Sequence, residues 1–321
     1  MRALITGGAG FIGSHLVDAL VARGDECTVL DDLSRGSRAN LSQLGDRVTL
    51  VEGSVTDRAL VEDLAPSFDA IYHLASVVGV RSTVADPARV IEVAVTGTTN
   101  LISAAAPDAS LLVASSSEIY GRSTATPFDE QTPGLLGPPQ AARWSYAHAK
   151  ACVEHLALAA GVSGRRPPSV IRYFNVYGPR MPQSIDPSVI TLFFEAARAG
   201  NGLVLYGDGS QTRSFVFVRD AVEGTISACE RGSGQVVNLG GPEETSISDL
   251  AQQILRITGS TSSLQRVELP SDLGLTSEEP HRRSATGALA AELLDWKLQT
   301  PLEDGLKLTW SSWPETVTRL S

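Results

Sequence analysis

Cysteine is scarce. Cys27, Cys152 and Cys229 are odd in number and widely spaced, and no CxxC pair occurs. That excludes a disulfide framework and the usual zinc or dithiol spacings, so the three read as small buried hydrophobes. A long apolar run is missing as well. The N-terminal MRALITGGAGFIG is too short and too glycine-rich for a signal peptide or a membrane span. A cytoplasmic protein with no membrane partner is therefore expected. Basic charge is also in deficit: 26 Lys and Arg stand against 36 Asp and Glu, for a net charge of −10 and no basic run. Neither a nucleic-acid surface nor long-range attraction of anions follows from that balance. The five histidines are scattered, no metal site is expected, and His73, beside a strand end, reads as structural.

What is present is an ordinary globular composition, 42% hydrophobic and 19% charged, which excludes disorder as the main state. Short apolar runs at Ala3–Thr6, Cys27–Leu30, Val48–Val51, Ala70–Leu74, Leu111–Ser115 and Ser169–Phe174 read as strands. Ser14–Arg23, Pro87–Ala106 and Ser145–Ala160 carry apolar residues at helical spacing between them. This alternation predicts an α/β fold with a doubly wound parallel sheet. After Gly178 the alternation gives way to loops, one helix at Ser188–Ala199 and strand-like pieces at Ser214–Val218 and Val236–Leu239. The expected organisation is a cofactor domain over 1–178 and a smaller substrate-binding lobe over 179–321, with some segments free to return to the main sheet.

The first strand runs into Gly7-Gly8-Ala9-Gly10-Phe11-Ile12-Gly13 and then a helix. Glycines in that context let backbone amides touch a pyrophosphate, and the helix N-terminus adds its positive dipole end. Gly7, Gly10, Phe11, Ile12 and Gly13 are thus the candidate cofactor loop, with Leu74 and Ala75 at the end of the fourth strand. Asp31 follows 18 residues after Gly13, where a carboxylate accepts hydrogen bonds from both ribose hydroxyls and repels a 2′-phosphate. NAD is favoured over NADP, although Arg35 is near enough to pair with such a phosphate.

Tyr146 and Lys150 are four residues apart on a predicted helix, so both project from one face. An adjacent ammonium favours phenolate, which would make Tyr146 a base for a hydroxyl proton while hydride leaves for NAD. Both also belong to the expected cofactor contacts. The strand at Leu111–Ser115 runs into Ser116-Ser117-Glu118, at the end of the sheet where doubly wound folds bind ligands. Ser116 can hydrogen-bond the oxygen being oxidised, and Glu118 can move a proton on the carbon beside a ketone. Trp144 either lines a sugar pocket or simply packs.

Taken together, these residues resemble the extended short-chain dehydrogenase/reductase family over nearly the whole chain. Ser116-Ser117-Glu118, Gly178-Pro179-Arg180-Met181, YGDGSQTRSF at Tyr206–Phe215 and NLGGPEE at Asn238–Glu244 narrow the resemblance to UDP-glucuronate decarboxylases, which make UDP-xylose. The resemblance matches a catalytic Ser/Thr-Ser-Glu triplet to Ser116, Ser117 and Glu118, with proton handling by Glu118, and the oxidising pair to Tyr146 and Lys150. It implies contact of Arg283 with the sugar's carboxyl end or enolate. Similarity to the wider sugar-epimerase group gives Asn175 and Arg213 the diphosphate and nucleotide, and the Gly-Pro-Arg string adds Arg180 to the substrate side. A homodimer built on the Pro87–Ala106 and Ser145–Ala160 helices is implied too. The sequence departs from the family at Arg283-Ser284-Ala285-Thr286, where Arg-Lys-Pro-Asp is usual, at Ala94 in place of an asparagine, and at Ser54 in place of an acid.

The expected chemistry is oxidation of carbon 4 of a UDP- or TDP-linked sugar, loss of carbon dioxide from the resulting β-keto acid, and return of the hydride. Two rivals share its first step. A 4-epimerase needs no carboxylate at Glu118, and a 4,6- or 5,6-dehydratase uses one, often after an aspartate where this chain has Ser117. A silent dinucleotide-binding regulator is the reading of another class, against which Ser116, Tyr146 and Lys150 stand.

Overall fold

A computed structural model describes residues 1–183, 186–268 and 280–313. Residues 184–185, 269–279 and 314–321 of the expected C-terminal lobe lie outside the described residues. Seven strands form the main sheet: β1 (Arg2–Thr6), β2 (Glu26–Asp31), β3 (Val48–Glu52), β4 (Ala70–His73), β5 (Ser110–Ser116), β6 (Ser169–Tyr173) and β7 (Val236–Leu239). All pair in parallel, in the order β7-β6-β5-β4-β1-β2-β3. Ala3, Leu4 and Ile5 are fully buried in β1, which is why the sequence shows an unbroken apolar run there instead of alternation. The winding reverses between β1 and β4, opening a crevice at the carboxyl ends of those strands.

Helices cover both faces. On one, α1 (Phe11–Arg23) and α5 (Val218–Arg231) pack Leu16, Leu20 and Val222 into a core with Tyr72, Leu112 and Ile171. On the other, α2 (Arg58–Leu64), α3 (Gly97–Ala104) and α4 (Ser145–Ala160) bury Val61, Leu101, Val153 and Ala157 against Leu4, Ile71 and Val113. The single helix expected over Pro87–Ala106 is interrupted: Pro87–Ile91 is followed by a π turn at Glu92–Thr96 and then α3. Thr98 and Thr99 donate their hydroxyls back to the carbonyls of Ala94 (2.6 Å) and Val95 (2.8 Å), competing with the helical ladder there. Hydrophobic periodicity does not register a one-residue insertion of this kind.

The second half holds more helix than the sequence reading gave it. The expected segment forms at Val189–Ala199, with the Ser188 hydroxyl capping Thr191 N at 3.2 Å. Beyond it lie α5, Ile247–Thr258, Ala288–Leu294 and Leu302–Ser311. Buried polar residues blur the pattern of α5: Asp220 and Thr225 are fully enclosed, and Gly224 makes room for Leu239 and Trp296. Asp220 accepts hydrogen bonds from Gln299 N (3.0 Å), Thr300 N (2.8 Å) and the Thr300 hydroxyl (2.9 Å). One buried carboxylate thereby fastens the segment after Trp296 onto α5. Asp220→Ala strands these donors and is expected to cost about 3 kcal/mol of stability by urea unfolding, whereas Asp220→Asn, which keeps an acceptor, should cost less than half of that.

Candidate functional site

Gly10 caps α1 without a side-chain hydrogen bond, and its carbonyl receives Ser14 N at 3.0 Å. The first amides of α1, at Phe11, Ile12 and Gly13, therefore face the crevice side of the turn without helical partners of their own. The turn is too tight for side chains. A Cβ on Gly13 would stand 2.2 Å from the Gly7 carbonyl oxygen, and one on Gly7, at φ +70°, would stand 2.8 Å from Ala75 N. Leu74 N and Ala75 N lean on Thr6, at 3.1 Å to its carbonyl and 3.3 Å to its hydroxyl, closing the floor beside Gly7.

Asp31 is buried at the end of β2, where its carboxylate accepts from Ala9 N and Leu33 N, each at 2.9 Å. Burial lifts its carboxyl above the usual carboxylate range against the pull of those two amides. Arg35 is engaged elsewhere: its guanidinium reaches the Ser82 hydroxyl and Asp186, the latter at 3.1 Å. The bare glycine cradle, the helix start and the fixed acid fit a dinucleotide. His73 is enclosed between the hydroxyls of Thr6 (2.8 Å) and Thr98 (3.1 Å), and burial lowers it to about 3, so it stays neutral and structural.

The reacting groups meet where α4 crosses the carboxyl end of β5. The Ser116 hydroxyl neighbours the Tyr146 phenol and accepts from Glu118 N at 3.2 Å, starting the short turn Ser117–Tyr120. Ser117 is buried. The Lys150 ammonium lies 5.7 Å from the centre of the Tyr146 ring and donates to the Ala114 carbonyl at 2.7 Å. The anticipated lowering of the Tyr146 phenol is not what this structure shows. Burial drives it up, with Glu118 adding to the rise and the Ser116 hydrogen bond opposing it. Burial likewise lowers Lys150, to about 8, with Glu154 working the other way.

Glu118 is the meeting point of three arginines. Arg283 hydrogen-bonds one carboxylate oxygen, and Arg143 stands 3.9 Å from the other. Both arginine side chains are only 6% exposed. Burial by itself would raise the Glu118 carboxyl, but Arg283 first, then Arg143 and Arg213, hold it below the usual glutamate range. Arg213 and Arg283 come together through two-residue strands, Thr212–Arg213 and Arg282–Arg283, which pair in parallel, and Thr245–Ser246 pairs antiparallel on the other side of Thr212–Arg213. Glu244 fastens that ladder, accepting from Arg282 at 2.7 and 3.0 Å, from Ser284 at 2.7 Å and from Thr212. The Arg282 hydrogen bonds lead in pulling Glu244 down to about 2.

The other candidates are placed apart from this cluster. Asn175 sits on a short strand, Asn175–Tyr177, paired with Phe215–Phe217, and Arg180 pairs with Asp18 of α1 at 2.8 Å. Arg143 escaped the sequence reading. It belongs to a 3-10 turn, Ala142–Trp144, directly before α4, and its position three residues ahead of Tyr146 was the available signal. Trp144 packs: it is 1% exposed, and Gly137 has no room for a Cβ beneath its indole.

A family model described as NAD dependent epimerase/dehydratase matches residues 3–240. The chain is 37% identical over 310 residues to a UDP-N-acetyl-alpha-D-glucosaminuronate decarboxylase of Bacillus cytotoxicus, covering 96% of both proteins. It is 37% identical over 317 residues to UDP-glucuronic acid decarboxylase 1 of Danio rerio, covering 96% of this chain and 71% of the relative. The fold is similar to the crystal structure of UDP-glucose 4-epimerase from Thermotoga maritima with UDP-glucose, at TM-score 0.88 and 28% identity, covering 97% of this chain and 98% of the other.

Because Glu244 fixes the ladder that carries Arg213 and Arg283, Glu244→Gln should weaken binding of a nucleotide sugar about tenfold, or about 1.4 kcal/mol, in calorimetric titration. NAD binding should be unchanged. Equal loss of both ligands would show a general unfolding instead of a displaced ladder.

Proposed function

The chain belongs to the NAD-dependent epimerase/dehydratase family, and we propose that it decarboxylates a nucleotide-linked glucuronic acid, converting UDP-glucuronate to UDP-xylose or its 4-keto pentose. The observation that carries this is the ionised Glu118 held by Arg283 and Arg143 beside Ser116 and Tyr146. A simple exchange at carbon 4 has no use for such a cluster, whereas a uronate brings a carboxylate to be recognised and proton traffic at carbon 5. The two decarboxylase relatives support the same reading.

NAD, when bound, supplies a hydride acceptor for carbon 4 and returns the hydride at the end of the cycle. Gly7, Gly10, Phe11, Ile12 and Gly13 hold its pyrophosphate, Leu74 and Ala75 line it, and Asp31 takes the adenosine ribose; the engagement of Arg35 with Asp186 supports NAD over NADP. Asn175, Arg180 and Arg213 hold the UDP or TDP end, and Arg143 and Arg283 receive the sugar's carboxylate by the planar, forked pairing that guanidinium offers. Tyr146 takes the carbon 4 hydroxyl proton, assisted by the Lys150 charge. The ketone so formed lies β to the carboxyl carbon, so the carbon–carbon bond breaks with its electron pair flowing onto the carbon 4 oxygen. Ser116 and Tyr146 hold that oxygen while Glu118, with Ser117 beside it, directs a solvent proton to carbon 5.

The division into a cofactor part, 1–178, and a nucleotide-sugar part, 179–321, follows these roles, with β7 contributed to the sheet by the second part. A homodimer through α4 and the helices from Pro87 to Ala104 suits the exposed Ile91 and Leu158, and a cytoplasmic setting suits three free cysteines. Among the described residues no helix is long and apolar enough to cross a membrane.

A 4-epimerase is the second reading, favoured by the likeness to the Thermotoga maritima enzyme. The test is to incubate the protein with UDP-glucuronate, UDP-N-acetylglucosaminuronate, UDP-glucose and UDP-N-acetylglucosamine and weigh the products. A nucleotide pentose supports decarboxylation, and recovery of isomers of unchanged mass alone would replace it with epimerisation. Tyr146→Phe should lower turnover far more than tenfold, a barrier increase well above about 1.4 kcal/mol, while leaving nucleotide-sugar affinity nearly intact.

A further inference from the structure

One row of α4 carries three ionisable groups a helical turn apart, Tyr146, Lys150 and Glu154, and each meets the last residues of β5. Tyr146 neighbours the Ser116 hydroxyl, Lys150 donates to the Ala114 carbonyl at 2.7 Å, and Glu154 accepts the Ser115 hydroxyl at 2.5 Å. Glu154 is buried with Arg172 of β6, which clasps it twice, Nε to one oxygen at 2.9 Å and Nη2 to the other at 2.7 Å. The third arm of the same guanidinium donates to the Tyr120 hydroxyl at 2.9 Å and to the Glu130 carbonyl at 3.0 Å. Tyr120 ends the Ser117–Tyr120 turn and donates in turn to Asn238 Oδ1 of β7 at 2.8 Å. A buried carboxylate thus touches the strand just before Ser116 and, through Arg172, the far end of the turn that carries Glu118.

We propose that Glu154 is a positioning residue for the hydride step: it registers the end of β5 on α4 and sets a negative charge one helical turn from Lys150, which lies beside Tyr146. The inference rests on the oxidising roles of Tyr146 and Lys150 given above. Removing a charge pair from an interior is often harmless to stability, so a pair with no task has little reason to be ionic. This pair has one. Lys150 is enclosed by Ala114 of β5, His73 of β4, and Tyr146 and Glu154 of its own helix. His73 is neutral across the working range, at about 3. Burial lowers Lys150 to about 8, and Glu154 is the charge that opposes the fall. Without it the ammonium gives up its proton at lower pH, and the positive charge 5.7 Å from the centre of the Tyr146 ring goes with it.

The experiment compares Glu154→Gln, the double variant Glu154→Gln with Arg172→Met, and Tyr146→Phe, reading reduction of enzyme-bound NAD by a nucleotide sugar across pH. In both Glu154 variants the alkaline limb of the rate should move down by about one pH unit, with kcat lower about fivefold near pH 8 and KM little changed. The double variant, which leaves no unpaired buried charge, should recover the melting temperature without recovering the pH profile. Recovery of both would make the pair purely structural and overturn the proposal, as would a wild-type profile in Glu154→Gln or failure of both variants to fold. Retained hydride transfer in Tyr146→Phe would instead overturn the assignment of the base, a failure distinct from this one.

Discussion

The molecule depends on how α4 lies across the carboxyl end of β5. Spacing of four residues puts successive side chains of one helical row about a turn apart. Here that row presents a phenol, an ammonium and a carboxylate to three consecutive residues of one strand. The parallel sheet makes the contact possible, because covering both faces of β5 brings a helix against the strand end where the crevice opens. A shift of α4 by one residue would rotate the row off the strand and separate Ser116 from Tyr146.

The second constraint crosses the length of the chain. Glu118 at the start of the crevice turn and Arg283 near the end of the described residues form one ion pair, with Arg143 closing it from the helix entrance. Nothing local brings them together. Two-residue strands align Arg213 with Arg283, Glu244 fastens their ladder, and Phe128 N to Ser284 O at 2.8 Å ties that ladder to the segment after Glu118. Taking the guanidiniums of Arg143 and Arg283 almost wholly out of water is costly, and the one carboxylate between them, Glu118, offsets only part of that charge. The same arrangement gathers local positive charge in a protein whose net charge is −10.

Much of this was legible in the sequence, for definite reasons. Strands buried on both faces write themselves as apolar runs, glycines that tolerate no Cβ stand out at Gly7 and Gly13, and Tyr146 and Lys150 declare their common face by spacing alone. What stayed hidden has physical causes as well. Arg143 sits in a three-residue 3-10 turn, where a lone arginine looks like any surface cation. The adjacency of Arg213 and Arg283 depends on a strand pairing across 70 residues that no local pattern encodes. Proximity of Lys150 to Tyr146 suggested an easily ionised phenol, but the cost of burying phenolate dominates once the site is folded. The strand at Val236–Leu239 is visible as an apolar run, while its place at the edge of the main sheet depends on pairing with Val170–Tyr173, more than 60 residues earlier, which no local pattern encodes.

On the proposed reading, the cluster around Glu118 serves the breaking of a carbon–carbon bond and the protonation of carbon 5. The direct measurement is a turnover of UDP-glucuronate carrying a carbon-13 label in its carboxyl group, run in heavy water and followed by nuclear magnetic resonance. The account predicts labelled carbon dioxide and a nucleotide pentose with one solvent deuteron fixed at carbon 5. Label retained in a nucleotide sugar that has exchanged nothing at carbon 5 would contradict it.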